Sequence, residues 1–286
     1  PSSAAADVYK SMGLFKTPEF FCSQGAIPSH AKLLDWLSTS FVESGWDTKA
    51  LIKLIASSST YRQSSQASAD ELVTDPENDL LTHANRYQLP AEMLRDNALL
   101  VSGLLVDKQG GPSVKPYEVA QSFKPVARGK GEQLYRRSLY TYWRRTAPAP
   151  VMMTLDAAKR EVCSVARERT SNPLHAIVLL NDPQYVEAAR KMGENLVKAF
   201  GNDHQAAMAK AFEQLTSRVA EDAELAVISI SFQQQLAYFK KYPDEANKFL
   251  STGDAPRDMN LPADQVAAMG MVINLLLNYD ECVVRQ

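Results

Sequence analysis

From Tyr135 to Pro183 the chain reads YRRSLYTYWRRTAPAPVMMTLDAAKREVCSVARERTSNPLHAIVLLNDP, and this stretch limits the fold more than any other. Between Arg136 and Arg169 it sets eight cations (Arg136, Arg137, Arg144, Arg145, Lys159, Arg160, Arg167, Arg169) against three acids (Asp156, Glu161, Glu168). That local excess of positive charge sits in a chain whose net charge is −2. Tyr135, Tyr140, Tyr142 and Trp143 are interleaved with the arginines. Leu134, Leu139 and Trp143 fit one helical face, but TAPAP stops any helix near Thr146, because proline removes a donor and restricts the residue before it. The run from Val151 to Thr170 shows no settled period and reads as extended or irregular. A fold that encloses such a segment must supply partners for its cations and for the backbone groups an irregular path leaves unpaired.

On either side the pattern is helical. Ser29 is placed to cap a helix through LLDWLSTSFV, with Leu33, Leu34, Leu37, Phe41 and Val42 on one face. Gly45 closes it, and Asp47 caps the next helix, TKALIKLIASSSTY, whose Leu51, Ile52, Leu54 and Ile55 suit packing back on the first. Another helix follows Pro90 over AEMLRDNALLVSGLL. Between Asp107 and Lys130 lies a long loop punctuated by Gly110, Gly111, Pro112, Pro116, Pro125 and Gly129. Beyond the basic segment, NPLHAIVLLND is helical and Pro183 opens QYVEAARKMGENLVKAF. Helices over His204–Ala220 and Glu221–Tyr242 come next, then a terminal helix from Pro262 to about Val284, with Val266–Leu277 buried. The expectation is a mainly α fold: an irregular multi-helix domain with long loops and an irregular Arg-rich central segment. Residues 1–27 read as an extension or linker from an upstream domain, and 28–286 as one domain, with a subdomain break offered near 110–131.

Composition removes several function classes. With 45% apolar and 22% charged residues the chain is globular, and a pI near 6.2 argues against a dedicated nucleic-acid binder. Cys22, Cys163 and Cys282 stand far apart with no CxxC or CxxCH, so the chain attaches no c-type haem and carries no zinc knuckle. Its four histidines form no ligand spacing. No run reaches the ~18 apolar residues of a membrane span. The opening PSSAAADVYK has neither an initiator Met nor a secretory pattern, and reads as the start of an excised or processed piece.

Guanidinium groups match carboxylate, sulfate and phosphate by planar, bidentate bonds and stack on aromatic rings. One reading therefore gathers Arg144, Arg145, Arg160, Arg167 and Arg169 around an anionic ligand, with Trp143 or Tyr142 as a stacking platform. The plainer reading makes these cations structural ties, paired with Asp156, Glu161, Glu168 and Asp182. Cys163 with His175 invites a thiolate–imidazole pair, but twelve residues of separation and no third group leave Cys163 more simply a small buried hydrophobe. Glu92 and Asp96, four apart, are accounted for as surface helix charge. GGPSVKP (Gly110–Pro116) lacks the order of a phosphate loop and reads as a tight turn, while YRQSS (Tyr61–Ser65) ends a helix with side chains able to tie a loop.

Several blocks together resemble one family: SHAKLLDWLSTSFVESGWDTKALIKLIASSSTYRQSS, DPENDLL (Asp75–Leu81), GGPSV, the arginine–aromatic stretch through QYVEAAR, and the closing LLLNYDE. The chain looks like the planctomycete-type domain of unknown function that closes large exported proteins, where a cytochrome-c-like domain commonly stands upstream. It departs from that pattern at PEFFCSQG (Pro18–Gly25), at Ala166 and at His175, the last removing support from the Cys163 pair. The resemblance implies a periplasmic or surface setting, haem c only in an upstream domain, and association with upstream domains of the same polypeptide and with sulfatase-like proteins. It supplies no catalytic residues. Two functional expectations stay open: a non-catalytic scaffold or interaction module, or an enzyme or binding domain for anionic, sulfated or uronic, polysaccharide using residues 135–169. A basic face that steers an acidic redox partner is a third.

Overall fold

The computed structural model describes residues 14, 25–117, 127–144, 148–160, 170 and 172–285. The chain divides into two compact units, one of Pro1–Gln88, Val162–Ser171 and Val284–Gln286, the other of Leu89–Glu161 and Asn172–Val283.

In the first unit, α1 (Ala31–Glu43) follows His30, which makes no side-chain cap. Ser29, expected to cap it, instead places its Oγ 3.0 Å from His30 Nδ1. Gly45 turns the chain at φ +73°, a conformation glycine adopts without a Cβ penalty. Asp47 then caps α2 (Thr48–Ser57) by accepting from Ala50 N at 3.0 Å, as expected. Neither helix holds a fully buried residue, and Trp36, Val42, Ile52 and Ile55 are exposed. After α3 (Ser59–Arg62), a capping box of Ser68 and Glu71 starts α4 (Ala69–Thr74). The DPENDLL segment then folds on two buried polar side chains. Asp75 accepts from Asp79 N and Leu80 N, and Asn78 donates to His83 O and Asn85 Oδ1. YRQSS ties this loop, through Gln63 Nε2 to Leu81 O and Ala84 N to Ser64 O. A two-residue strand β1 (Tyr87–Gln88) pairs antiparallel with β2 (Val284–Arg285), and the Arg285 guanidinium lies 4.3 Å from the Tyr61 ring centroid.

The second unit contains α5 (Ala91–Val101), α6 (Pro150–Thr154), α7 (Pro173–Asn181), α8 (Pro183–Phe200), α9 (His204–Thr216), α10 (Asp222–Lys241), α11 (Pro243–Leu250), α12 (Ala263–Leu277) and α13 (Asp280–Val283). Asn172, Asp182 and Asp203 cap α7, α8 and α9 with side-chain oxygens, and proline opens α7 and α8. The fold is mainly α. Helix α12 is apolar on every side and is buried along most of its length, packed among α8, α10 and α11. It ends at Leu277 rather than running on to Val284, because the chain turns at Asn278 before the short α13.

Where α8 crosses α12, two glycines let the backbones touch. A Cβ on Gly193 would fall 2.8 Å from Gly270 N and 3.1 Å from Gly270 Cα. Gly193→Ala is therefore expected to destabilise by about 1–3 kcal/mol, because the helices must separate. Urea unfolding reads this as a lowered midpoint with an unchanged slope. An unaltered midpoint would mean that the crossing is not tight.

Candidate functional site

The basic segment folds without the helix expected through Leu134, Leu139 and Trp143. It forms two 3₁₀ turns, Gly131–Leu134 and Ser138–Tyr140, and then runs extended. The reason is its partner: residues 104–116 lie alongside, with parallel bridges Val106–Arg136 and Val114–Thr141. Val106 N donates to Tyr135 O, Val114 N to Tyr140 O, and Tyr142 N to Val114 O. A helix could not offer those groups outward. Gly110 and Gly111, both at positive φ, turn the 104–116 strip, and Gly110 N donates to Tyr140 Oη. In the run beyond Ala149, expected to be irregular, Pro150–Thr154 forms one helical turn with proline at its start.

Two buried arginines clasp this arrangement. Arg136, 5% exposed, donates to Lys108 O, Gly110 O and Pro112 O, with its guanidinium 3.9 Å from the Tyr140 ring centroid. Arg95, on α5 and 1% exposed, donates to Leu134 O, Arg136 O, Ser138 Oγ and Gln184 Oε1. Beside it, Asp96 accepts from Ser138 N at 2.7 Å and lies 3.7 Å from Arg137 Nε. Asp96 is thus a tie, not the surface charge expected from its helical spacing. Backbone carbonyls, the Ser138 hydroxyl and the Gln184 amide oxygen, and not Asp182, take the hydrogen bonds of Arg95 and Arg136. Asp182 serves instead as the α8 cap, and burial raises its carboxyl above the usual range.

Of the ligand candidates, Tyr142, Trp143, Arg144 and Arg160 are described, while Arg145, Arg167 and Arg169 lie outside the described residues, as does Cys163. Arg160 is exposed, stands 5.0 Å from the Trp143 ring centroid and donates to Thr141 O. Lys115 Nζ lies 5.3 Å from the Tyr142 ring centroid, and Arg144 is half-buried. Trp143 also leans on the core. The structure thus gathers Trp143, Arg160 and Thr141, next to Tyr142 and Lys115. His175 is buried with Nε2 3.9 Å from Asp156 Oδ2. Among the described residues no group of three or more His, Cys, Asp or Glu could hold a metal ion, and no helix is long and apolar enough to cross a membrane.

The model of the PSD1 family, described as a protein of unknown function (DUF1553), matches residues 9–231. The chain belongs to this family. No curated protein and no solved structure matches it. The family match takes in both halves of the arginine clasp and ends within α10, before α11 and α12.

A second polar cluster joins the matched residues to those beyond them, and sequence reasoning missed it. On α8, Glu187 is 2% exposed and accepts from Tyr135 Oη at 2.8 Å, Asp254 N at 2.7 Å and Ala255 N at 2.6 Å. Arg190 donates to Thr252 O and Ala255 O, and Glu194 accepts from Lys191 and Asp258 N. The Tyr135 hydroxyl is held above its usual range, first by burial and then by its bond to Glu187. Gly253 faces Glu187 so closely that any Cβ would overlap the carboxylate. The signal was present: Glu187, Arg190 and Glu194 recur at helical spacing among Tyr185, Ala188, Ala189 and Met192, so the charges share the buried side of α8.

Proposed function

We propose that the chain is a non-catalytic scaffold or interaction module, in which the arginine–aromatic segment is chiefly an internal tie. The buried Arg136, spending its Nη donors on three backbone carbonyls, carries this reading. A cation committed in that way is not offered to a ligand, and burial of so many donors is worthwhile only where an irregular path needs fixing. The resemblance to planctomycete-type domains extends the proposal: an exported protein, periplasmic or at the cell surface, in which this module follows upstream domains that carry any haem c and stands near a sulfatase-like partner.

Arg160, exposed over Trp143, favours a second reading, recognition of sulfated or uronic polysaccharide. Stability and binding separate the two. Arg136→Ala is expected to cost about 1–3 kcal/mol by removing the charged donor that ties Lys108 O, Gly110 O and Pro112 O to the segment, and Arg160→Ala at most about 0.5–1 kcal/mol. In a thermal-shift panel of sulfated, uronic and neutral oligosaccharides, the scaffold reading expects no salt-sensitive rise in midpoint. A ligand at ~100 times its Kd would add about 2.7 kcal/mol, readily seen. A rise abolished in a folded Arg160→Glu variant would replace the scaffold reading with the glycan one.

A further inference from the structure

Away from the arginine segment, α9, α10, α12 and the residues just after α12 enclose an apolar groove of about 450 Å³. Its floor is buried: Phe212 is 1% exposed and Val272 2%. Its walls are not, since Val227 is 68% exposed and Leu275 46%. Two features of the sequence leave the groove open. Ala223 and Ser231 flank Val227 at four-residue steps along α10, so the stripe facing the groove has small residues where larger ones would fill it. Across from it, Val272, Leu275, Leu276 and Tyr279 present the matching face of α12 and its end. Residues 223–231 span about 12 Å at 1.5 Å per residue, some two turns of helix. Two helices with such facing ridges form the seat for a third, the arrangement by which amphipathic helices enter apolar grooves.

The mouth of the groove is acidic. Arg218 stacks 4.7 Å from the Phe212 ring centroid and spends its donors on both carboxylates of Glu224 and Glu281 and on Val219 O. The bond from Arg218 is the main reason the Glu224 carboxyl is held down at about 2. Tyr279 Oη, lining the groove, also reaches Glu224 at 3.3 Å. Two carboxylates on one guanidinium leave a net negative charge, to which Glu221 and Asp222 add in the adjoining sequence. An anion would find no free donor on Arg218. A cation would find carboxylate oxygens.

We propose that this groove docks an amphipathic helix of a partner protein, with apolar anchors at i, i+4 and i+7 and lysine or arginine beside them, facing Glu224 and Glu281. The inference rests on the interaction-module reading and gives it a place. An exposed apolar surface of this kind is costly in water unless covered, and the acidic rim chooses the sign of what covers it.

The test is fluorescence anisotropy with the whole chain and three labelled 18-residue helical peptides. One carries leucine anchors and lysine flanks, one the same anchors with glutamate flanks, and one the lysine composition with scrambled anchors. The lysine-flanked peptide is expected to bind in the micromolar range, more weakly as salt rises. Binding should fall roughly tenfold or more for each of the other two peptides. It should fall as far with Val227→Asp and with Leu275→Glu, exposed positions at which a charge leaves the core intact. No binding of the lysine-flanked peptide, preference for glutamate flanks, or equal affinity of both variants would overturn the proposal. So would saturable uptake of an anilinonaphthalene dye without peptide binding, which would make the groove a small-molecule pocket. These isotherms are independent of the Arg136 and oligosaccharide measurements, so either reading can fail alone.

Discussion

Glu187→Ala is expected to lower the free energy of unfolding by about 3–5 kcal/mol, the range for removing one partner from a buried ionic cluster. The Glu187 carboxylate collects three donors, Tyr135 Oη, Asp254 N and Ala255 N, and lies 3.9 Å from Arg190 Nη2. Alanine would strand two loop amides and a phenol, and would take from Arg190, 2% exposed, the carboxylate 3.9 Å from its Nη2. Glu187→Gln keeps the shape and one acceptor oxygen, so its cost should be smaller, about 1–3 kcal/mol. Urea titrations of both variants give the two numbers. Adding Tyr135→Phe closes a double-mutant cycle, in which coupling of about 0.5–3 kcal/mol is expected between residues sharing a hydrogen bond. A loss below about 1 kcal/mol for Glu187→Ala would mean that water reaches the site and satisfies the loop amides.

How much of this was legible follows from the range over which each signal acts. Helix starts that carry their own cap, Asp47, Asn172 with Pro173 and Asp182 with Pro183, were readable because the capping oxygen sits within three residues of the donor it serves. The α12 core was readable because a helix apolar all round has only one place to go. The arginine segment was readable as irregular and cationic, but its partners were not. Arg95 reaches carbonyls 39 and 41 residues away, and a carbonyl leaves no mark in a sequence. Acidic residues such as Asp156, Glu161, Glu168 and Asp182 stand out in a sequence as partners for cations, whereas the carbonyls that Arg95 holds do not. The groove was hidden for another reason. Helix α10 carries more apolar residues than its core contact uses, with Ile228 and Phe232 buried but Val227 and Ile230 exposed. Composition alone cannot divide such a helix into covered and open faces.

Arg95→Ala should destabilise about as much as the loss of Glu187, roughly 3–5 kcal/mol, because it also removes a buried charge from a satisfied network. The guanidinium bridges three places in one plane: Gln184 on α8 through Nε, Arg136 O and Ser138 Oγ through Nη1, and Leu134 O through Nη2. Its loss strands those acceptors and leaves Asp96, 3.8 Å from Nη1, to hold the Ser138 turn alone. Arg95→Lys separates geometry from charge. An ammonium is a point donor that cannot reach four diverging acceptors from one stem, so lysine should recover only a minor part of the loss. A general loss of stability would look the same for any core residue, so amide hydrogen exchange supplies the specific readout. The Val106, Val114 and Tyr142 amides, which bond the two extended strips to each other, should exchange faster in Arg95→Lys. Amides in the middle of α12 should keep their protection relative to the global stability of the variant. Wild-type stability and unchanged protection in Arg95→Lys would show that the strips hold each other without the clasp. The frame of the basic segment would then lie in the strip-to-strip hydrogen bonds and in Arg136.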